Sequence, residues 1–132
     1  MSTIKVIIDW ENNYGAYSNE IPGCVATHKT LEGVKKAYSD ALKFHLEGMV
    51  DDGDEIPEIL KDQYNLNFEL NIRAILHYFD GILTRSAISR VTGINQRQLG
   101  HYVSGHRKPR PEQQRKIVEG IRKIRKEIDS VV

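Results

Sequence analysis

The apolar pattern changes its period at residue 70, and no single regular element accommodates both halves. At the two ends of the stretch before it, apolar side chains recur at every second position. Ile4, Val6, Ile8 and Trp10 are interleaved with Lys5, Asp9 and Glu11, and Tyr64, Leu66, Phe68 and Leu70 with Asn65, Asn67 and Glu69. Side chains on a strand point alternately to its two faces, so this spacing predicts strands with one buried face. Beyond residue 70 the steps are three and four, as in Ile72, Ile75, Leu76 and Phe79, or Ile117, Ile121, Ile124 and Ile128. That spacing lines one side of a helix.

The front half resolves further. Asn12, Asn13 and Gly15 predict a turn, Ala16 to Ser18 a short strand, Ile21-Pro22-Gly23 a second turn, and Cys24 to His28 a third strand. Thr30 is a good N-cap for a helix over residues 31–47, which carries Leu31, Val34, Tyr38, Ala41, Leu42 and His45 at helical steps. Gly48 is the expected stop, and residues 51–58, acidic with Gly53 and Pro57, the expected loop. The order is β-β-β-α-β over residues 1–70.

The rear half shows no strand pattern. Asn71, Thr84 and Asn95 can each cap a helix, with Gly81, Gly93 and Gly105 as stops. Ile88 and Val91, then Leu99, Tyr102 and Val103, are expected to face inward. Pro109 and Pro111 reset the chain before a last helix over residues 112–130. The fold class is therefore α+β, a small mixed lobe at 1–70 followed by an all-α domain at 71–132.

Charge divides at the same place. Residues 1–70 hold six Lys/Arg and thirteen Asp/Glu, a net of −7, whereas residues 71–132 hold thirteen and five, a net of +8. An acidic front and a basic rear imply two jobs, the basic one on nucleic acid. Cys24 is the only cysteine, which excludes an intrachain disulfide and fits a reducing, cytoplasmic location. No apolar run approaches the ~20 residues that span a bilayer, and no basic stretch with a long apolar core opens the chain, so no signal peptide is expected.

The stretch TGINQRQLGHYVSGHRKP, from Thr92 to Pro109, carries the sharpest functional signal. A helix-turn-helix needs a small residue four before the turn glycine, here Ser89, and a left-handed turn, here Gly93. It also needs an apolar residue six further on, here Leu99. The second helix of such a pair enters the major groove. Gln96, Arg97 and His101 would then face base edges, with Gly100 leaving room for close approach. A good bidentate Gln–adenine or Arg–guanine pair discriminates by ~1–3 kcal/mol. Arg85, Asn95, Arg107 and Lys108 are placed for phosphates. Together Ile88, Gly93, Ile94, Leu99, Tyr102, Gly105 and Pro109 resemble the Cro/C1-type helix-turn-helix family.

The front half has a resemblance of its own. Ile21-Pro22-Gly23-Cys24, Thr30-Leu31-Glu32, the helix ending His45-Leu46-Glu47-Gly48, and Ile56-Pro57 after the acidic loop are similar to the HicB antitoxin family. The resemblance implies a partial RNase H-like lobe without nuclease activity. In this family that lobe binds a HicA-type ribonuclease toxin and masks its active site, while the rear domain binds double-stranded operator DNA and represses the operon. It also implies a homodimer or a higher homo-oligomer. An acidic lobe suits a basic, RNA-holding partner, and Glu47, Asp51, Asp52, Asp54 and Glu55 are the expected toxin-facing carboxylates.

Other readings share parts of this pattern. Asp9, Glu11 and Glu47 are carboxylates that a two-metal nuclease would use, though no motif fixes a further one. A helix-turn-helix regulator whose front lobe senses a small molecule would have the same rear half. The five histidines lack HExxH or CxxC company, Asp51 to Asp54 lacks the spacing of a calcium loop, and no glycine-rich phosphate loop occurs, so neither metal nor cofactor is assigned. The isoleucine stripe of the last helix either packs on its own domain or pairs with a second subunit at coiled-coil spacing.

Overall fold

Ile4, Val6 and Ile8 have no exposed surface, and the front unit is built around them. The computed structural model describes all residues, Met1–Val132. The chain forms two compact units, Met1–Asn71 and Ile72–Val132.

In the first unit, β1 (Ser2–Glu11) turns back into β2 (Asn13–Tyr17), and β3 (Val25–His28) follows. Helix α1 (Leu31–Asp51) then leads to β4 (Tyr64–Leu70). The sheet order is β3-β2-β1-β4. β1 and β2 are antiparallel, with Ile8 opposite Ala16, and β1 and β4 are parallel, with Val6 opposite Phe68. Parallel neighbours need a long crossover, and α1 supplies it. The helix buries Val34, Tyr38 and Leu42. Tyr38 meets Phe68 edge-on at 6.4 Å between ring centroids, so α1 covers the face that bears Val6. The other face carries Lys5, Ile7 and Asp9. Lys5 pairs with Glu69 at 3.1 Å, and Tyr17 and Val25 are exposed.

Three local expectations change. The β1–β2 turn is tighter than the pattern implied: Glu11 pairs with Asn13, Asn12 alone turns with φ 64, and Gly15 lies inside β2 opposite Asp9. Asparagine tolerates a left-handed backbone better than most residues. Gly48 does not stop α1. The helix continues through Asp51, so Asp51 belongs to the helix rather than the loop. The chain leaves helical geometry at Asp52 and Gly53, the latter with φ 72. A glycine in open space costs a helix only ~1 kcal/mol relative to alanine, too little to end one that is packed along its length.

The second unit holds α2 (Ile72–Asp80), α3 (Arg85–Thr92), α4 (Gln96–Ser104) and α5 (Pro111–Val131). Leu76, Ile88, Ile94, Leu99, Tyr102 and Ile117 form its core. Val91, expected inward, is only half-buried, and the neighbouring Thr92 is the buried residue. Along the stripe of α5, Ile117 is buried, Ile121 packs on the core, and Ile128 is 53% exposed. The first part of that helix therefore packs on its own unit, and its last turns project their apolar residues to solvent.

Candidate functional site

The helix pair α3–α4 is held by side-chain caps at both starts and by glycine at both ends. Thr84 Oγ1 accepts the Ala87 N–H at 3.0 Å, and Asn95 Oδ1 accepts the Gln98 N–H at 2.8 Å. Gly93 (φ 75) and Gly105 (φ 79) take the left-handed conformation that closes α3 and α4. Thr92, which sequence reasoning passed over, ties the turn together. Its hydroxyl donates to the Ile88 carbonyl at 2.7 Å and accepts the Ile94 N–H at 3.2 Å. Both groups are buried, so losing either bond would strand a polar atom.

With Leu99 and Tyr102 in the core, the opposite side of α4 faces outward. Gln96 and Arg97 are exposed there, and Gly100 and His101 are half-buried. The residues expected at phosphates divide. Arg107 and Lys108 are exposed. Asn95 uses its side chain to cap its own helix. Arg85 bonds to Asp80 at 3.2 Å and lays its guanidinium 3.1 Å from where a Cβ on Gly100 would stand. The room beside Gly100 is thus occupied by Arg85, and a bulkier residue there would displace a cation from the face.

His101 is the titratable centre of this surface. Its ring lies 4.8 Å from that of His106, and its Nδ1 is covered with no hydrogen-bond partner. Loss of solvation, then His106, Arg97 and Arg107, lower its pKa below the ordinary 6.5. An unpaired, covered nitrogen is better left as a lone pair than as an N–H, so the neutral ring carries its proton on Nε2.

Arg73 was not singled out in the sequence, because an arginine in an amphipathic helix has no distinctive spacing. Its Nε donates to the Val103 carbonyl at 3.0 Å and its Nη2 to the Ser104 carbonyl at 3.2 Å. These are end carbonyls of α4, so a cation on α2 holds the far end of the outward-facing helix.

In the front unit the five expected carboxylates are all exposed. Glu47 and Asp51 lie one turn apart on α1, and Asp52, Asp54 and Glu55 follow in the loop. None of them is in an ion pair. Asp9, by contrast, accepts the N–H of Trp10 at 2.7 Å. No group of three His, Cys, Asp or Glu side chains converges anywhere in the structure. Cys24 is buried against Tyr38. The Tyr38 hydroxyl is buried beside that thiol, and burial, then Cys24, hold its pKa far above the ordinary phenol value. No helix is long and apolar enough to cross a membrane.

Comparison with known proteins bears on the front unit. No curated protein matches the chain. A family profile described as the HicB-like antitoxin of bacterial toxin–antitoxin systems matches residues 3–78. The match runs from β1 into α2 and takes in the whole sheet, α1 and the acidic loop, more than half of the chain. On that extent of agreement, the chain belongs to the HicB-like antitoxin family.

Proposed function

We propose that this chain is the antitoxin of a type II pair with two separable tasks. The first unit binds a HicA-type ribonuclease and masks its active site. The second unit reads operator DNA through α4 and represses the operon that encodes the pair. The chain acts as a homodimer or higher oligomer, because two-fold readers bind half-sites about one helical turn apart.

The observation that carries the DNA reading is the outward face of α4. Two side-chain caps, two left-handed glycines and a six-residue core leave Gln96, Arg97 and His101 with no part in that core. Arg85 and Arg107 lie beside them. Family membership and the net of −7 over residues 1–70 support the toxin-binding task. Electrostatic steering toward such a lobe raises encounter rates and weakens with salt.

The test uses the full chain, DNA from upstream of its own gene, and the protein encoded beside it. The reading expects a specific DNA complex whose affinity falls steeply with salt, and capture of the neighbouring protein with loss of its ribonuclease activity. No retardation of upstream DNA at low salt would overturn the DNA-reading task, and no capture the toxin-binding task.

A further inference from the structure

Phe44 is 79% exposed in the middle of a long, ordered helix. It stands on the side of α1 away from the buried Val34, Tyr38 and Leu42. Six residues on, Val50 is 61% exposed. Neither joins the core of its own unit, and water contact with a whole phenyl ring is unfavourable. Between them lies Glu47. At 3.6 residues per turn, Phe44 and Val50 sit about 60° to either side of it. Leu46, Glu47, Val50 and Asp51 line an open groove of about 400 Å³. It shares Leu46 with a second groove of about 560 Å³ lined by Met1, Leu60 and residues 61–64.

The rim of this apolar strip is mainly negative, with exposed Lys43 one turn before Glu47 as the cation on the same side of the helix. Glu47, Asp51, Asp52, Asp54 and Glu55 are exposed and unpaired. Asp40, a turn before Phe44, is instead matched by Lys36 at 2.9 Å. Apolar anchors ringed by unmatched charges mainly of one sign are the anatomy of a protein-binding patch: the anchors supply affinity, and the rim supplies orientation and encounter rate. Enzymes that hold RNA present a basic face, which is the charge this rim complements.

We infer that the exposed side of α1 around Phe44, Glu47 and Val50, with the loop after it, is the surface on which the toxin docks through its basic face. The inference rests on the antitoxin reading above. It gives the five carboxylates a supporting role and assigns the binding energy chiefly to two side chains that fill no place in the fold.

The test measures binding of the full-length chain to the protein encoded beside it, the latter in a ribonuclease-inactive variant. Phe44→Asp and Val50→Asp, with Phe44→Ala as a milder variant, are compared with Val25→Asp, a control at a site 66% exposed on the other face of the sheet. All three positions are open to solvent, so unchanged circular dichroism and oligomeric state are required of each of the four variants. The expected result is a loss of about 30-fold or more for Phe44→Asp and Val50→Asp, as for hot-spot truncations, and little change for Val25→Asp. Binding within threefold of wild type in Phe44→Asp would overturn the docking surface while leaving the antitoxin reading intact. A loss confined to Val25→Asp would move the interface to the open sheet face. Dissociation of the antitoxin oligomer by Phe44→Asp would make the patch a self-contact and also overturn the inference. Failure of the wild-type chain to bind would refute the antitoxin reading itself.

Discussion

Arg73 donates its Nε–H to the carbonyl of Val103 at 3.0 Å, thirty residues away in the chain. Its Nη2 takes the next carbonyl, that of Ser104, and a Cβ on Gly105 would come within 2.9 Å of the guanidinium carbon. One side chain thus satisfies two end carbonyls of α4 and crowds the residue after them, where a φ of 79 already favours glycine. Arg73→Ala is expected to destabilise the second unit by about 1–3 kcal/mol, the range for losing hydrogen bonds from a charged donor. Faster amide exchange across residues 96–104 would show it. Arg73→Lys should recover less than half, because an ammonium cannot reproduce the planar fork. Wild-type exchange rates in Arg73→Ala would mean that the cap is incidental.

Two helical glycines are predicted to respond oppositely to alanine. Nothing lies within 4 Å of a Cβ built on Gly48, in α1. Gly48→Ala should therefore stabilise the chain by about 0.5–1 kcal/mol. On Gly120, in α5, a Cβ would stand 2.7 Å from Thr92 Cγ2 and 3.1 Å from the Val91 carbonyl oxygen. Gly120→Ala should cost about 1–3 kcal/mol as an overpacked contact between α5 and α3. Urea denaturation of both variants decides the matter, and equal signs would contradict the packing described.

If α4 reads DNA as proposed, His101 is predicted to make that binding pH-dependent. In the free protein His106, Arg97 and Arg107 add to the loss of solvation that holds its pKa below 6.5, and Arg85 lies over the adjacent Gly100. A lowered histidine pKa gives a stability contribution held above the ordinary value and lost as pH falls through the lowered one. Phosphates bound there would offset the arginine repulsion and favour the imidazolium, so binding is predicted to take up a proton. DNA affinity should therefore rise between about pH 7.5 and about pH 6, with His101→Gln flattening the slope. A titration with equal slopes in wild type and His101→Gln would refute this role.

Base readers and phosphate contacts are expected to differ in kind. Arg97→Ala should cost about 1–3 kcal/mol on operator DNA and relax preference at one base position. Lys108→Ala should weaken all sequences alike and reduce the salt slope by about 1. Binding isotherms on operator and scrambled duplexes at several salt concentrations separate the two. Identical behaviour of the two variants would argue that α4 does not read bases.

What was legible in the sequence was whatever local chemistry decides. Thr30, Thr84 and Asn95 cap helices as their types predict. Gly93 and Gly105 turn where only a left-handed backbone fits. The alternation of β4 is that of a strand with one half-buried and one exposed face. Contacts distant in sequence were not legible. No local pattern places β4 beside β1, gives Arg73 its carbonyls, or has α3 close against Gly120. Gly48 misled because a glycine ends a helix only where packing permits. Phe44 had a signal that went unused: it falls off the core spacing of Val34, Tyr38 and Leu42. The roles of the outward α4 residues were read from the helix-turn-helix spacing, and Arg85 and Asn95 show that a polar residue at a suitable position can already have an intramolecular partner.

The central claim is that the two units perform separable tasks, and one co-expression experiment tests it most directly. The protein encoded beside this chain is induced in cells that carry a reporter driven by the pair's own promoter. The full-length chain is supplied as wild type or as the Arg97→Ala, Arg107→Ala double variant. The account predicts that the double variant still restores growth while repression of the reporter is lost. Loss of growth rescue together with repression, in a variant that remains folded, would contradict the division of labour, as would repression that survives without both arginines.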